Sequence, residues 1–239
     1  MSQTQSRARP PAQPPCRTSG GASGEAVSGA SGGASGGGPE AVAARIAACT
    51  ACADRFAATR TGHAPRPVVR LSGRARVLVA GQAPGARVHA SGIPFDDASG
   101  DRLRDWMGID REVFYDPVRV AIAPMAFCFS GYDAKGADLP PPPLCADLWR
   151  AQALAAMPQV ALILLVGGHA QRWHLGGRAR SVTANVTDWR ARTGAAPALL
   201  PLPHPSWRNT AWIKRNPWFE AEVLPWLRAA LPPLLTAEG

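Results

Sequence analysis

Two short stretches of the chain concentrate side chains that do chemistry. His204-Pro205-Ser206-Trp207-Arg208-Asn209 places a near-neutral imidazole, a short hydroxyl, a bulky apolar wedge and a cation within six residues. Gly81-Gln82-Ala83-Pro84-Gly85 runs on to Gly92-Ile93-Pro94-Phe95. Gly81 and Gly85 have no Cβ and let a ligand approach the backbone closely, and the stretch ends in an aromatic face, Phe95, behind a rigid proline. A backbone cradle with a ring is a receptor for a flat, polar heterocycle. The cysteines form a third set. Cys49 and Cys52 are three apart, so on a helix or turn both thiolates face one point. With Cys128 and Cys145 they can close a [4Fe–4S] cluster. A tetrahedral zinc site and a group of free buried thiols are the rivals, although the gap between Cys128 and Cys145 is wider than the close second pair of a zinc ribbon. Cys16 stands apart in an N-terminal segment of unlike composition.

These residues need a scaffold that brings them together. Four apolar runs, Val77–Ala80, Val118–Met125, Val160–Val166 and Leu199–Leu202, alternate with helical patterns near Asp101–Met107, Ala146–Met157, His169–Leu175 and Val182–Arg192. Ser99 or Asp101 is expected to cap the first of these. The Ala-rich stretch Glu40–Ala58 predicts another helix, and a last one opens at Asn216-Pro217 and runs toward Leu231 with a kink at Pro225. Strands alternating with helices predict a three-layer α/β/α domain around a mostly parallel four-stranded sheet, its ligand site at the carboxyl ends of the strands. On that edge the loop after the first strand and the loop after the fourth become neighbours. Residues 40–235 read as this single domain. Residues 1–39, dominated by Gly, Ser, Ala and Pro, read as a disordered tail too poor in apolar surface to offset chain entropy.

The formal charge is +9, carried almost wholly by arginine, since Lys135 and Lys214 are the only lysines. The planar guanidinium donates to two oxygens at once, which suits phosphate and points to nucleic acid; a merely basic, solubilising surface is the plainer alternative. No apolar run reaches the length of a membrane span and no signal-peptide core opens the chain. A cytoplasmic protein is expected, its thiols reduced or metal-bound.

Together these motifs resemble the uracil-DNA glycosylase superfamily, most closely its iron–sulfur branch, family 4. That branch carries Gly-Glu-Ala-Pro-Gly, then Gly-x-Pro-Phe, then a Gly and a Leu. This chain has Gly81–Gly85, Gly92–Phe95, Gly100 and Leu103 at the same spacing. The branch's His-Pro-Ser is matched by His204-Pro205-Ser206, and its four cysteines by Cys49, Cys52, Cys128 and Cys145. The resemblance implies a monomeric hydrolase of base excision repair that flips a damaged base out of single- or double-stranded DNA and cleaves its N-glycosidic bond, the base being uracil or a related deaminated base. It favours a structural [4Fe–4S] cluster over zinc. Phe95 would stack on the extruded base while the backbone of Gly81, Ala83 and Gly85 binds its edge. His204 would donate a hydrogen bond to the oxyanion that develops on the base. Ser206 would hold a flanking phosphate, Trp207 would fill the gap left by flipping, and Arg208 would meet phosphate.

The chain departs from that pattern at three places. Gln82 stands at the acid of the first motif, and an amide orients water without accepting its proton. Val88 and His89 stand where the family often has an acidic pair, which makes His89, with Asp96 and Asp97 beyond Phe95, candidates for placing water. Pro124 stands where the family reads the base with an asparagine, so selectivity is expected to loosen or to shift toward hypoxanthine or xanthine. The same departures motivate an alternative, a catalytically weak or inactive binding module for DNA or a damaged base. An enzyme acting on a free nucleotide or phosphate ranks below both, because neither a Walker-type Gly-Lys-Ser nor a Gly-x-Gly-x-x-Gly opens a helix after a strand.

Overall fold

The structure, a computed structural model, describes residues 37–176 and 180–236. The tail expected over residues 1–39, with Cys16, lies outside the described residues except for 37–39, and Pro39 already opens the first helix.

Four strands, β1 (Val77–Ala80), β2 (Val120–Ile122), β3 (Leu162–Val166) and β4 (Ala198–Leu202), form an all-parallel sheet of order β2-β1-β3-β4. Helices α1 (Pro39–Ala47) and α2 (Ala53–Ala57) precede it. Between β1 and β2 lie α3 (Ala86–Ser91), α4 (Ala98–Met107) and α5 (Arg111–Tyr115); α6 (Pro143–Ala155) joins β2 to β3. Helices α7 (Gly168–His174), α8 (Val182–Thr187) and α9 (Trp189–Arg192) join β3 to β4, and α10 (Thr210–Arg215), α11 (Leu224–Ala230) and α12 (Pro232–Leu235) follow. Successive strand residues point to opposite faces. Val77, Val79, Ile122, Leu164 and Leu200 therefore bury against Leu103, Trp106, Phe114, Trp189 and Leu227 on one side. Leu78, Ala80, Ala121, Ile163 and Leu165 bury against Val42, Ile46, Met157 and Ala170 on the other. The expected three layers are present.

Several boundaries differ from the sequence expectation. The helix expected over Glu40–Ala58 breaks after Ala47, and a turn that holds Cys49 and Cys52 leads into α2. The apolar run 118–125 yields three strand residues, although the Ala123 and Met125 amides still donate to the Val79 and Gly81 carbonyls beyond them. The segment after Gly85 is a helix, α3, rather than a loop. Asp97, not Ser99 or Asp101, caps α4: its carboxylate accepts from the Gly100 amide at 2.8 Å. The pattern over Val182–Arg192 splits at Asp188 into α8 and α9. Around the expected kink at Pro225, a π-helical turn over Phe219–Val223 precedes α11, which has Pro225 in its first turn.

Arg150 on α6 is buried and has no carboxylate partner among the described residues. It donates to the Ala123 carbonyl at the end of β2 and, through Nε at 3.2 Å and Nη2 at 2.6 Å, to His174 Nε2 on α7. An imidazole that accepts from a guanidinium must be neutral, and burial with the adjacent Arg150 charge lowers the His174 pKa to about 3. The unfolded chain takes up this proton near pH 6.5 and the native state does not. The stability contributed by the neutral ring is therefore complete above about pH 6.5 and is lost as pH falls toward 3, at about 1.4 kcal/mol per pH unit. Urea unfolding at pH 7.5, 6.0 and 5.0 is expected to show that decline, and His174→Gln, which keeps an acceptor but does not titrate, should flatten it.

Candidate active site

The carboxyl ends of the strands open onto one edge. Two cavities meet there. The inner one, about 440 Å³, is lined by Gly81, Gln82, Ala83, Gly85, Val88, Phe95, Asp97, Pro124 and His204, among others. The outer one, about 1270 Å³, shares Gln82–Gly85, Asp97, Ser99 and His204 with it and extends past Ser130, Asp138 and Ser206–Asn209. The loops after β1 and β4 both line these cavities, although β3 lies between their strands in the sheet.

Phe95 is held over the cradle by several contacts. Its φ is +56°, the one non-glycine in the left-handed region among the described residues. The buried Arg104 guanidinium donates to the Phe95 carbonyl at 3.4 Å and pairs with Asp101. Tyr115 Oη donates to the Pro94 carbonyl at 2.9 Å. A Cβ on Gly81 would stand 3.0 Å from Phe95 Cζ, so the ring lies directly over the glycine. The Gly81 and Gln82 carbonyls accept from Met125 and Ala126 at 2.9 and 3.1 Å, which fixes the cradle against the segment after β2. The amides of Gln82, Ala83 and Gly85 donate to no group among the described residues and remain available at the cavity wall.

His204 is positioned from several sides. Its backbone carbonyl accepts from Asn209 Nδ2 at 2.7 Å, and Arg102 on α4 donates to the Ser206 carbonyl at 3.1 Å. The Ser206 amide donates to His204 Nδ1 at 3.2 Å. That bond makes Nδ1 an acceptor and leaves the proton of the neutral ring on Nε2. Burial pushes the His204 pKa down, against a smaller upward pull from Asp97 and Asp138. At neutral pH the cleft therefore contains a neutral imidazole with an N–H donor. Trp207 is 74% exposed at the outer rim, with the Arg208 guanidinium 5.8 Å from its ring centroid.

His89 does not line either cavity. On a helix, adjacent residues diverge, and α3 turns Val88 toward the inner cavity and His89 toward His63 and Phe129, with ring centroids at 5.1 and 5.9 Å. Asp96 pairs with Arg111 at 2.9 Å. The Asn209 amide is committed to the His204 carbonyl. Ser99, Ser130 and Asp138 line the outer cavity although no motif pointed to them. Ser130 and Asp138 belong to the 130–139 loop, whose only sequence signal is its turn-forming glycines and Asp133.

The four cysteines converge elsewhere. Cys49, Cys52, Cys128 and Cys145 line one apolar cavity of about 370 Å³ with Ile46, Phe56, Phe127 and Trp149. Phe127 N donates to Cys145 Sγ and Trp149 Nε1 to Cys49 Sγ, both at 3.4 Å. Burial pushes the Cys128 thiol up to about 12 and the Cys145 thiol to about 11, with the nearby thiols adding to the effect. Such thiols ionise only when a strong positive centre binds them. Among the described residues no three His, Cys, Asp or Glu side chains gather as they would around a single metal ion. Four thiols lining one apolar cavity, two of them accepting N–H bonds, are a donor set that an iron–sulfur cluster can use.

The fold is α/β/α, with a cavity at the strand ends that a neutral histidine lines and an exposed tryptophan at its outer rim. The Uracil DNA glycosylase superfamily matches residues 69–228, and the chain belongs to that superfamily. No helix among the described residues is long and apolar enough to cross a membrane.

Proposed function

We propose that this protein is a DNA glycosylase of the iron–sulfur branch, which flips uracil or a related deaminated base out of DNA and hydrolyses its N-glycosidic bond as a cytoplasmic monomer. The observation that carries this reading is the neutral His204, which keeps its proton on Nε2 and lines the inner cavity together with Phe95 and the Gln82–Gly85 cradle. A flat base would stack on the Phe95 ring with its edge toward the cradle amides. As the bond to the sugar lengthens, negative charge collects on the base carbonyl, and a preorganised donor there acts where charge appears. Trp207 enters the stack at the vacated position, and Ser206 and Arg208 face the flanking phosphates. Cys49, Cys52, Cys128 and Cys145 would hold a [4Fe–4S] cluster, which ties the α1–α2 turn to the segments around β2 and α6. Its contribution there is structural.

Pro124 gives the inner cavity no side-chain amide, which supports a base preference broader than uracil. The test is excision from single- and double-stranded oligonucleotides carrying uracil, hypoxanthine or xanthine, using protein purified without oxygen. Abasic product on at least one of them is expected. Salt-dependent DNA binding with no abasic product on any would favour the binding module, the reading to which Gln82 and Pro124 lend weight. Iron and sulfide near four each per chain, with absorption in the visible range, are expected of the same preparation; one zinc per chain would overturn the cluster.

A further inference from the structure

We infer that Asp138, from the loop between β2 and α6, is the catalytic carboxylate that faces the sugar of the flipped nucleotide and replaces the acid absent at Gln82. The inference rests on the glycosylase reading. Three aspartates stand near the cleft, and their commitments differ. Asp96 is paired with Arg111, and Asp97 spends an oxygen on capping α4. The Asp138 carboxylate has no hydrogen bond or ion pair among the described residues, yet it lines the outer cavity with Gln82, Asp97 and His204.

Its loop is built to hold it there. Tyr132 and Asp138 form an antiparallel bridge, and the Leu139 amide donates to the Gly131 carbonyl at 2.9 Å. Asp133 Oδ1 accepts from the Lys135 and Ala137 amides at 2.8 and 2.9 Å, closing the turn. The Gly131 φ of +89° and the Thr59 side chain 2.9 Å from where its Cβ would lie leave room there for glycine alone. Asp138 and His204 line the same cavity, where one substrate can meet both.

A free carboxylate in a cleft that receives a polyanion weakens binding, because it repels the phosphates. Its use lies in the transition state. The C1′–N bond breaks with its electron pair leaving on the base, and the sugar becomes positively charged. Water adds to C1′ as its proton passes to the Asp138 carboxylate, which returns it to solvent. The base anion leaves hydrogen-bonded to His204 and takes a proton from solvent. An interaction stronger in the transition state than in the ground state raises kcat, and here it does so at the expense of affinity.

Asp138→Asn tests this on the full chain with the base that the wild type excises. Single-turnover kcat is expected to fall about a hundredfold, while binding to the uncleaved oligonucleotide tightens and Tm stays unchanged. Asp138→Glu should recover much of the lost rate. Unchanged kcat in Asp138→Asn, or a loss of kcat accompanied by a lower Tm or weaker DNA binding, would overturn the inference and leave the glycosylase reading standing. A wild type that excises no base at all would instead remove that reading, and the role of Asp138 with it.

Discussion

In His204→Ala, single-turnover excision is expected to fall by about two to three orders of magnitude, the loss found when one preorganised oxyanion donor is removed. The loss should appear in kcat with little change in binding, because the Nε2–H meets full charge only as the base departs. The ring's tautomer is set by the Ser206 amide at Nδ1, so the donor needs no acid to charge it. His204→Gln, which can still present an N–H, should retain more activity than alanine. Lowering the pH protonates His204 only below its ordinary range, since burial depresses its pKa. Activity attributable to the neutral ring is therefore present through neutral pH and declines on the acid side. Equal rates in His204→Ala and wild type would remove the histidine from the mechanism.

Gly100→Ala is expected to be the most damaging single methyl group in the site. A Cβ at that position would stand 1.8 Å from the Phe95 carbonyl oxygen and 2.9 Å from Phe95 Cβ. The carbonyl also accepts from Arg104, and the residue sits at positive φ, so neither partner yields easily. Overpacking against backbone costs about 2–4 kcal/mol, which for a domain of this size lowers Tm by about 5–15 °C. Phe95 must shift off the cradle to relieve the clash, so excision should drop together with stability. An alanine variant with wild-type Tm and wild-type rate would show that the Phe95 turn is not fixed by this contact. Thermal unfolding and excision on the same preparation check both halves.

Much of the site was legible because its chemistry is local in sequence. The cradle after β1 and the histidine loop after β4 are short contiguous stretches, and strand–helix alternation alone brings the ends of parallel strands to one edge. The cysteine set was legible from type and order. Boundaries were harder to read. The Cys49–Cys52 turn lies in an Ala-rich stretch with no Gly or Pro to break it, and the break after Ala47 is seen only in the structure. His89 looked available while its segment read as a loop; once that segment is helix α3, the turn per residue carries the ring away from the cavity that Val88 lines.

The sequence by itself determined the class of fold, the two loops that line the site, and Gly81, Phe95, Gly100 and His204 as motif positions, because each depends on residue type at fixed spacing. Tertiary structure alone decided what those positions do. Gly100 is glycine because a carbonyl five residues earlier occupies the space of its methyl group. The tautomer of His204 follows from one backbone amide. The carboxylate left free at the cleft is Asp138, which no motif contains and which reaches the site only because a crossover loop folds back over the sheet edge. Contacts between residues far apart in the chain depend on where the sheet puts them, and no local pattern encodes that placement.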